Sequence, residues 1–320
     1  MKILRVFAAV LACALLTAAQ QATQTAPEST QDVPTFKVDV KLVNVFTTVV
    51  DENGAPVGVL ERENFEVFED SQPQTIAVYD RESELPLSIV MAIDASLSAR
   101  PELKLELESA RRFARNILRP IDALSLYQFS EHVVELVPFT SDLKQIDRGI
   151  RRVRVGAATA LYDAIYLGAE ALQPRHDRKV MVLITDGGDT VSRSTYGEAV
   201  RAAQEAEAIV YSIIIVPIEA SPGRNTGGEN ALIQLAHDTG GKHYYAKSTG
   251  ELDTAFQQIS NELRTQYLVA YYPTRRLARG SFRRIEIRLK PSAAVPDVSR
   301  FTPRHRSGYF THSQSWERKE

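Results

Sequence analysis

From Phe36 onward apolar and polar residues alternate. Phe36, Val38, Val40 and Leu42 share one face, and then the pattern slips by one position to Val43, Val45, Thr47 and Val49. Successive side chains of a strand point to opposite faces, so this spacing predicts a strand and the slip predicts a β-bulge. "DENGAP" predicts a hairpin turn through Asn53 and Gly54. "FEVFED", a turn at Asp70 and Ser71, and "QTIAVY" predict two further short strands, so residues 36–80 read as all-β.

After "ESELP" the pattern changes. "LSIVMAID", "KVMVLITD" and "IVYSIIIVP" are unbroken apolar runs, as strands covered on both faces require. "ELKLELESARRFARNIL" has apolar residues at helical spacing, at Leu103, Leu107, Ala110, Phe113, Ala114 and Ile117, with Pro101 opening the helix. "DLKQIDRGIRRV", "ALYDAIYLGAEAL", "YGEAVRAAQEAEA", "NALIQLAHDTG" and "ELDTAFQQISNELR" predict five more helices, "ALSLYQFS" with "HVVELV" a strand pair, and "KHYYA" a short strand. Alternating strands and helices predict an α/β domain over residues 85–265, a doubly wound and mainly parallel sheet with right-handed crossovers.

Beyond Thr265 the β pattern returns in "QYLVAYYP", "FRRIEIRLK" and "RSGYF", with turns from Pro273 to Gly280 and around Pro291 to Pro296. Neither terminal group of strands has a second apolar layer of its own, and a small isolated sheet is marginal. The expectation is one small β-sandwich built from both chain ends, residues 36–82 and 266–311, with the α/β domain inserted between them. The tail 312–320, "THSQSWERKE" from Thr311 on, is polar and expected to be mobile.

The leading residues add a location. Lys2 and Arg5 precede an uncharged apolar run from Val6 to about Ala19, with the small residues Thr17 and Ala19 before a cleavage point. This predicts a secretory signal peptide over residues 1–20 and a polar, disordered linker over 21–35, hence an exported chain, periplasmic or extracellular, with no membrane span once mature. A lipoprotein reading of "VLAC", with Cys13 lipidated, is disfavoured: it would leave "ALLTAA" exposed and cut the apolar run to about seven residues. Cys13 is the only cysteine, so the mature chain has neither a disulfide nor a thiolate. With 38 basic and 40 acidic residues and a net charge of −2, the chain has no field to attract nucleic acid or an anionic membrane.

The chemistry gathers at strand ends. In a wound parallel sheet, ligands bind at the carboxyl ends of the strands, where the winding direction changes. Asp94 ends the first buried strand, with Ser96 and Ser98 in the loop that follows; Asp186 ends the second, in "LITDGGDT"; and Thr159 lies in a loop at a helix entrance. Read singly, Asp94, Ser96 and Ser98 are loop caps, Thr159 an N-cap and Asp186 a turn residue. Read together, they are hard oxygen donors on one rim, suited to Mg²⁺, Ca²⁺ or Mn²⁺. Asp189 reads as a solvated loop residue and Asp163 as a local cap. His132, His176, His237 and His243 lack metal-ligand spacing, and Arg148, Arg151, Arg152 and Arg154 read as a solvated helix end. The loop 217–229, rich in Gly, Pro and Ser, reads equally as a rim segment that shapes partner choice and as a plain mobile connector.

Asp94-x-Ser96-x-Ser98, Thr159 about sixty residues on, and Asp186 before a glycine resemble the metal-ion-dependent adhesion site of von Willebrand factor type A domains. The resemblance covers residues 85–265; the flanking strands, "TALYDAI" and "GYF" also resemble the von Willebrand factor A-related exported proteins described from Acidobacteria. It implies that Ser96, Ser98 and Thr159 bind a cation directly and that Asp94 and Asp186 act directly or through water. The position left over takes a carboxylate from a protein or peptide presenting Asp or Glu. An exported, metal-dependent binding module is the expected function. The alternatives are an envelope assembly scaffold with an unused site and a metal-assisted hydrolase; against the latter, the sequence offers no Gly-x-Ser-x-Gly elbow, no mature thiol and no histidine beside the metal loops.

Overall fold

The computed structural model describes residues 42–81, 85–97, 99, 103–216, 226–275 and 280–311. The predicted signal peptide and linker, the first strand before Leu42, Ser98, Pro101, residues 217–225 of the loop and the tail from 312 lie outside them.

Alternation in β1 (Val43–Val50) sends Val43, Val45 and Val49 into an apolar core. The turn that follows is tied by the Asp51 carboxylate, which accepts the amides of Asn53 and Ala55 at 2.9 and 2.8 Å. The predicted hairpin closes by one bridge, Val50 to Pro56, since a proline has no amide with which to extend a ladder. β2 (Phe65–Glu69) and β3 (Gln72–Gln74) form a hairpin through Asp70 and Ser71, both at positive φ. The predicted strand "QTIAVY" is divided: Gln74 ends β3, while Ile76 opens β4 (Ile76–Arg81), which belongs to a different sheet.

Six strands form the central sheet: β5 (Leu87–Asp94), β6 (Ala123–Phe129), β7 (Val133–Thr140), β8 (Arg178–Thr185), β9 (Ile209–Ile215) and β10 (His243–Ala246). Their order is β10-β9-β8-β5-β6-β7, and only β7 runs antiparallel to its neighbour. Every residue of β5 is buried because the sheet is covered twice. Ile89, Met91 and Ile93 face one core with α1 (Leu103–Ile117), α2 (Leu143–Ile150) and α6 (Thr249–Thr265). Val90 and Ala92 face the other, with α3 (Leu161–Leu172), α4 (Tyr196–Glu205) and α5 (Thr226–Asp238). α5 starts at Thr226, so the last part of the predicted loop 217–229 is its first turn.

The chain then returns through β11 (Tyr267–Tyr271), β12 (Phe282–Leu289), β13 (Thr302–Arg304) and β14 (Gly308–Phe310). Strands from both ends interleave in two sheets, ordered β13-β1-β11-β4 and β14-β12-β2-β3. Val45, Phe65, Val67, Tyr267, Val269, Ile285 and Ile287 fill the core between them. Within it the Glu69 carboxylate accepts the hydroxyls of Tyr271 and Tyr309, each at 2.8 Å.

This sandwich lies at the amino ends of the central strands. Ser307 N–H donates to the Asp238 carbonyl at 2.9 Å, just before β10. Gln266 Nε2 reaches Thr48 Oγ1 at 3.1 Å, and its Oε1 accepts from Arg178, the first residue of β8. Gly240, at φ +80°, lets this segment close up, because a Cβ there would lie 2.6 Å from Arg306 N. The carboxyl ends of the strands form the opposite rim.

Candidate metal centre

The chain leaves β5 toward β6 and β7 on one side of the sheet, then crosses to β8, β9 and β10 on the other. The carboxyl ends of β5 and β8 therefore bound the crevice at the point where winding reverses. Their register pairs Ile93 with Ile184, which leaves Asp94 beside Thr185 and puts Asp186 one residue further out. Thr185 Oγ1 donates to Asp94 Oδ2 at 2.7 Å, and Ser96 N–H donates to Asp94 Oδ1 at 2.9 Å. Asp186 Oδ1 accepts from Gly188 N–H at 3.2 Å. The turn between them needs a glycine: Gly187 takes φ +91°, and its amide donates to Thr185 Oγ1 at 3.1 Å.

Asp94 is fully buried. Burial pushes its pKa up to about 6, against the opposing hydrogen bonds from Thr185 and Ser96, and the charge of Asp186 pushes the same way. No Lys, Arg or His among the described residues pairs with it. A buried carboxylate with hydroxyl and amide donors but no counter-ion is a place where a cation lowers the energy.

Thr159 reaches the same rim by a different route. Its N–H donates to Thr190 Oγ1 at 2.9 Å, and its carbonyl accepts from Thr190 N–H and Val191 N–H at 2.8 and 3.2 Å. The loop before α3 is fastened to the other strand ends by Gly156 N–H to the Ala95 carbonyl at 2.8 Å and Ala160 N–H to the Ser130 carbonyl at 2.7 Å. Thr159 is buried but is not the N-cap of α3: the cap position is Ala160, whose methyl cannot accept a hydrogen bond. The first turn is capped instead by Asp189 Oδ1, which accepts Leu161 N–H at 2.9 Å and Tyr162 N–H at 3.3 Å. Asp189 is thus a half-buried capping residue rather than a solvated loop residue. Asp163 likewise acts across loops, accepting the amides of Arg193 and Ser194. These bonds free the Thr159 side chain from backbone duty.

The structure brings Asp94, Ser96, Thr159 and Asp186 to adjoining loops of one rim; Ser98, two residues after Ser96, lies outside the described residues. Among the described residues no three Asp, Glu, His or Cys side chains converge as a metal-binding group. The donor set is one of hydroxyls with two acids, which fits a hard divalent ion and gives a softer metal no nitrogen or sulfur. Two buttresses were not anticipated. Thr185 holds Asp94, and Glu229, buried in the first turn of α5, packs beside Gly187 and accepts the Tyr245 hydroxyl at 3.3 Å. Neither has a sequence signature beyond its place at a strand or helix end. His132, His176 and His237 are exposed and His243 is half-buried, while Arg148, Arg151, Arg152 and Arg154 are exposed at and beyond the end of α2.

Residues 89–188 match the family model of the von Willebrand factor type A domain, which spans β5 to the loop after β8. No curated protein matches the chain significantly. Solved structures resemble it in fold. One is the conserved hypothetical protein BatB from Bacteroides thetaiotaomicron, 18% identical, covering 56% of this chain and 100% of its own, with a TM-score of 0.46. Another is the vWF domain of the type V pili tip protein Mfa5 from Porphyromonas gingivalis, at 13% identity, 55% and 94% coverage and a TM-score of 0.46. A von Willebrand factor type A protein from Catenulispora acidiphila covers 87% of this chain and 76% of its own, at 10% identity and a TM-score of 0.48.

Proposed function

We propose that this chain, whose residues 89–188 match the family model of the von Willebrand factor type A domain, is an exported binding module that captures a protein or peptide carboxylate through a divalent cation. Asp94, Ser96, Ser98, Thr159 and Asp186 would hold the ion, with Mg²⁺ the first choice and Ca²⁺ or Mn²⁺ the alternatives. When bound, the cation supplies an electrophilic position for an outside carboxylate. The chain's own part is to hold the donors: Thr185 and the Ser96 amide orient the Asp94 carboxylate, Asp189 fixes the start of α3, and Thr159 follows from that. With only two acids in the donor set the divalent ion is balanced and not over-neutralised, so an outside carboxylate is not repelled and can complete the oxygen shell. The observation that carries this reading is the buried Asp94 carboxylate, beside a second acid and with no cationic partner among the described residues. No described helix is long and apolar enough to cross a membrane; export rests on the leading residues alone.

Titration of the protein with Mg²⁺ in a calorimeter tests the ion, and capture from the host's extracellular fraction with and without chelator tests the partner. Uptake that is lost in Asp94→Asn, together with capture that is lost on chelation and in Thr159→Ala, is the expected result. Absence of ion uptake at millimolar concentration overturns the reading.

A further inference from the structure

We propose that the rim around the cation site selects a peptide segment whose acidic residue is flanked by apolar side chains, with Leu97, Val155 and Val191 as the selecting contacts. This inference rests on the cation reading above and specifies its partner. Each of the three loops that carry the oxygen donors also presents one branched apolar residue to solvent: Leu97 is 54% exposed, Val155 41% and Val191 46%. Scattered exposed apolar residues are ordinary, but these three stand next to the site's own fastenings. Leu97 follows Ser96. Val155 precedes Gly156, whose amide donates to the Ala95 carbonyl at 2.8 Å, and the Val191 amide donates to the Thr159 carbonyl at 3.2 Å.

The geometry has two consequences. The loops of Val155 and Val191 are bonded to Ala95 and Thr159, so these two contacts are already in place before a ligand arrives and little ordering cost falls on them. Apolar contacts on separate loops around a carboxylate position require a ligand with side chains on either side of its acid, which a peptide has and a free carboxylate lacks. Of the nearby charged residues, Arg154 and Arg193, exposed next to Val155 and near Val191, favour an acidic segment, while the exposed Glu131, which accepts the Ala157 amide at 2.7 Å, keeps its charge and opposes one. Apolar contacts surrounding one strong polar anchor are the usual anatomy of a specific interface centre.

The test uses the full chain in millimolar Mg²⁺ and two acetylated hexapeptides, one glutamate flanked on both sides by leucines or by serines, with binding read by fluorescence anisotropy. The leucine peptide is expected to bind at least about tenfold tighter. Combining Leu97→Ser, Val155→Ser and Val191→Ser, all at exposed positions, is expected to erase that preference while Mg²⁺ uptake in the calorimeter stays unchanged. Equal binding of the two peptides, a preference that survives the triple substitution, or no peptide binding by a protein that does take up Mg²⁺ would each overturn the proposal and leave the cation site standing. Absence of Mg²⁺ uptake would instead remove the cation reading beneath it.

Discussion

The Glu262 carboxylate, near the end of α6, bonds the guanidinium of Arg304 in β13. The glutamate is almost fully buried and also accepts the Tyr244 hydroxyl at 3.2 Å, while Arg304 Nε points to the Gly240 carbonyl at 3.4 Å. One ion pair therefore joins the last helix of the α/β layers to the sandwich. Removing Arg304 leaves the buried Glu262 with only Lys242, 3.8 Å away, as its cation, so Arg304→Ala is expected to cost no more than about 3 kcal/mol in urea denaturation. Replacing both residues by methionine is expected to recover most of that loss, because the burial penalty goes with the charges. A double variant as unstable as Arg304→Ala would show that the pair is worth more than its desolvation.

Asp94 carries the opposite expectation. Its charge is buried without a counter-ion among the described residues, so in chelator Asp94→Asn is expected to be at least as stable as the parent. With millimolar Mg²⁺ the order reverses, since binding stabilises only the form that binds. Thermal melts of both proteins with Mg²⁺ and with EDTA read this crossover. A variant less stable than the parent in EDTA would make Asp94 a structural acid.

Asp189 links stability to the site. Asp189→Ala removes the side-chain acceptor from the Leu161 and Tyr162 amides, at an expected cost of about 1 kcal/mol. The start of α3 loosens with it, so Mg²⁺ affinity is expected to weaken although Asp189 touches no ion. Unchanged affinity beside the stability loss would show that Thr159 is held by its bonds to Thr190 and Val191 alone.

His305 sets a pH dependence away from the rim. Burial holds its pKa below the ordinary 6.5, against the Arg306 carbonyl, which favours the charged ring. Its Nε2 accepts the Ile287 amide at 3.0 Å, which a protonated ring cannot do. As the pH falls below about 6.5 the unfolded chain takes up a proton that the folded chain refuses, so stability drops. Glu286, Arg306 and His237 also face the ring electrostatically, and His305→Gln keeps their charges while removing the titration. The stability difference between parent and variant is expected to change between pH 7 and pH 5.5; a constant difference would exclude His305 as its source.

The strands β5, β8 and β9 were legible because burial on both faces makes them long apolar runs, polar only at Ser88, Ser212 and the strand ends. Asp94 and Asp186 were legible for the same reason, since each follows such a run. The short strand β13 was not: three residues containing Pro303 carry no period. Nor was the break between β3 and β4, because Gln74 pairs locally with Val67 whereas the sheet to which Ile76 belongs is decided by Tyr271, some two hundred residues away. The capping of α3 escaped for a related reason. Thr159 is the obvious residue to cap a helix that starts after Ala160, but the cap comes from a loop 28 residues on. A local pattern reports the backbone it lies on, whereas the start of β4 and the cap of α3 are set from a distance.

The chain enters the α/β layers from β4 and leaves them into β11, and these two strands are bonded neighbours in one sheet. Both connections of the α/β layers thus spring from a single antiparallel seam. A pull on the polypeptide before β1 and after β14 runs through the ladders of the sandwich and bypasses the crevice at Asp94 and Asp186. Tension applied at the two chain ends therefore loads these ladders before it loads the strands that carry Asp94 and Asp186.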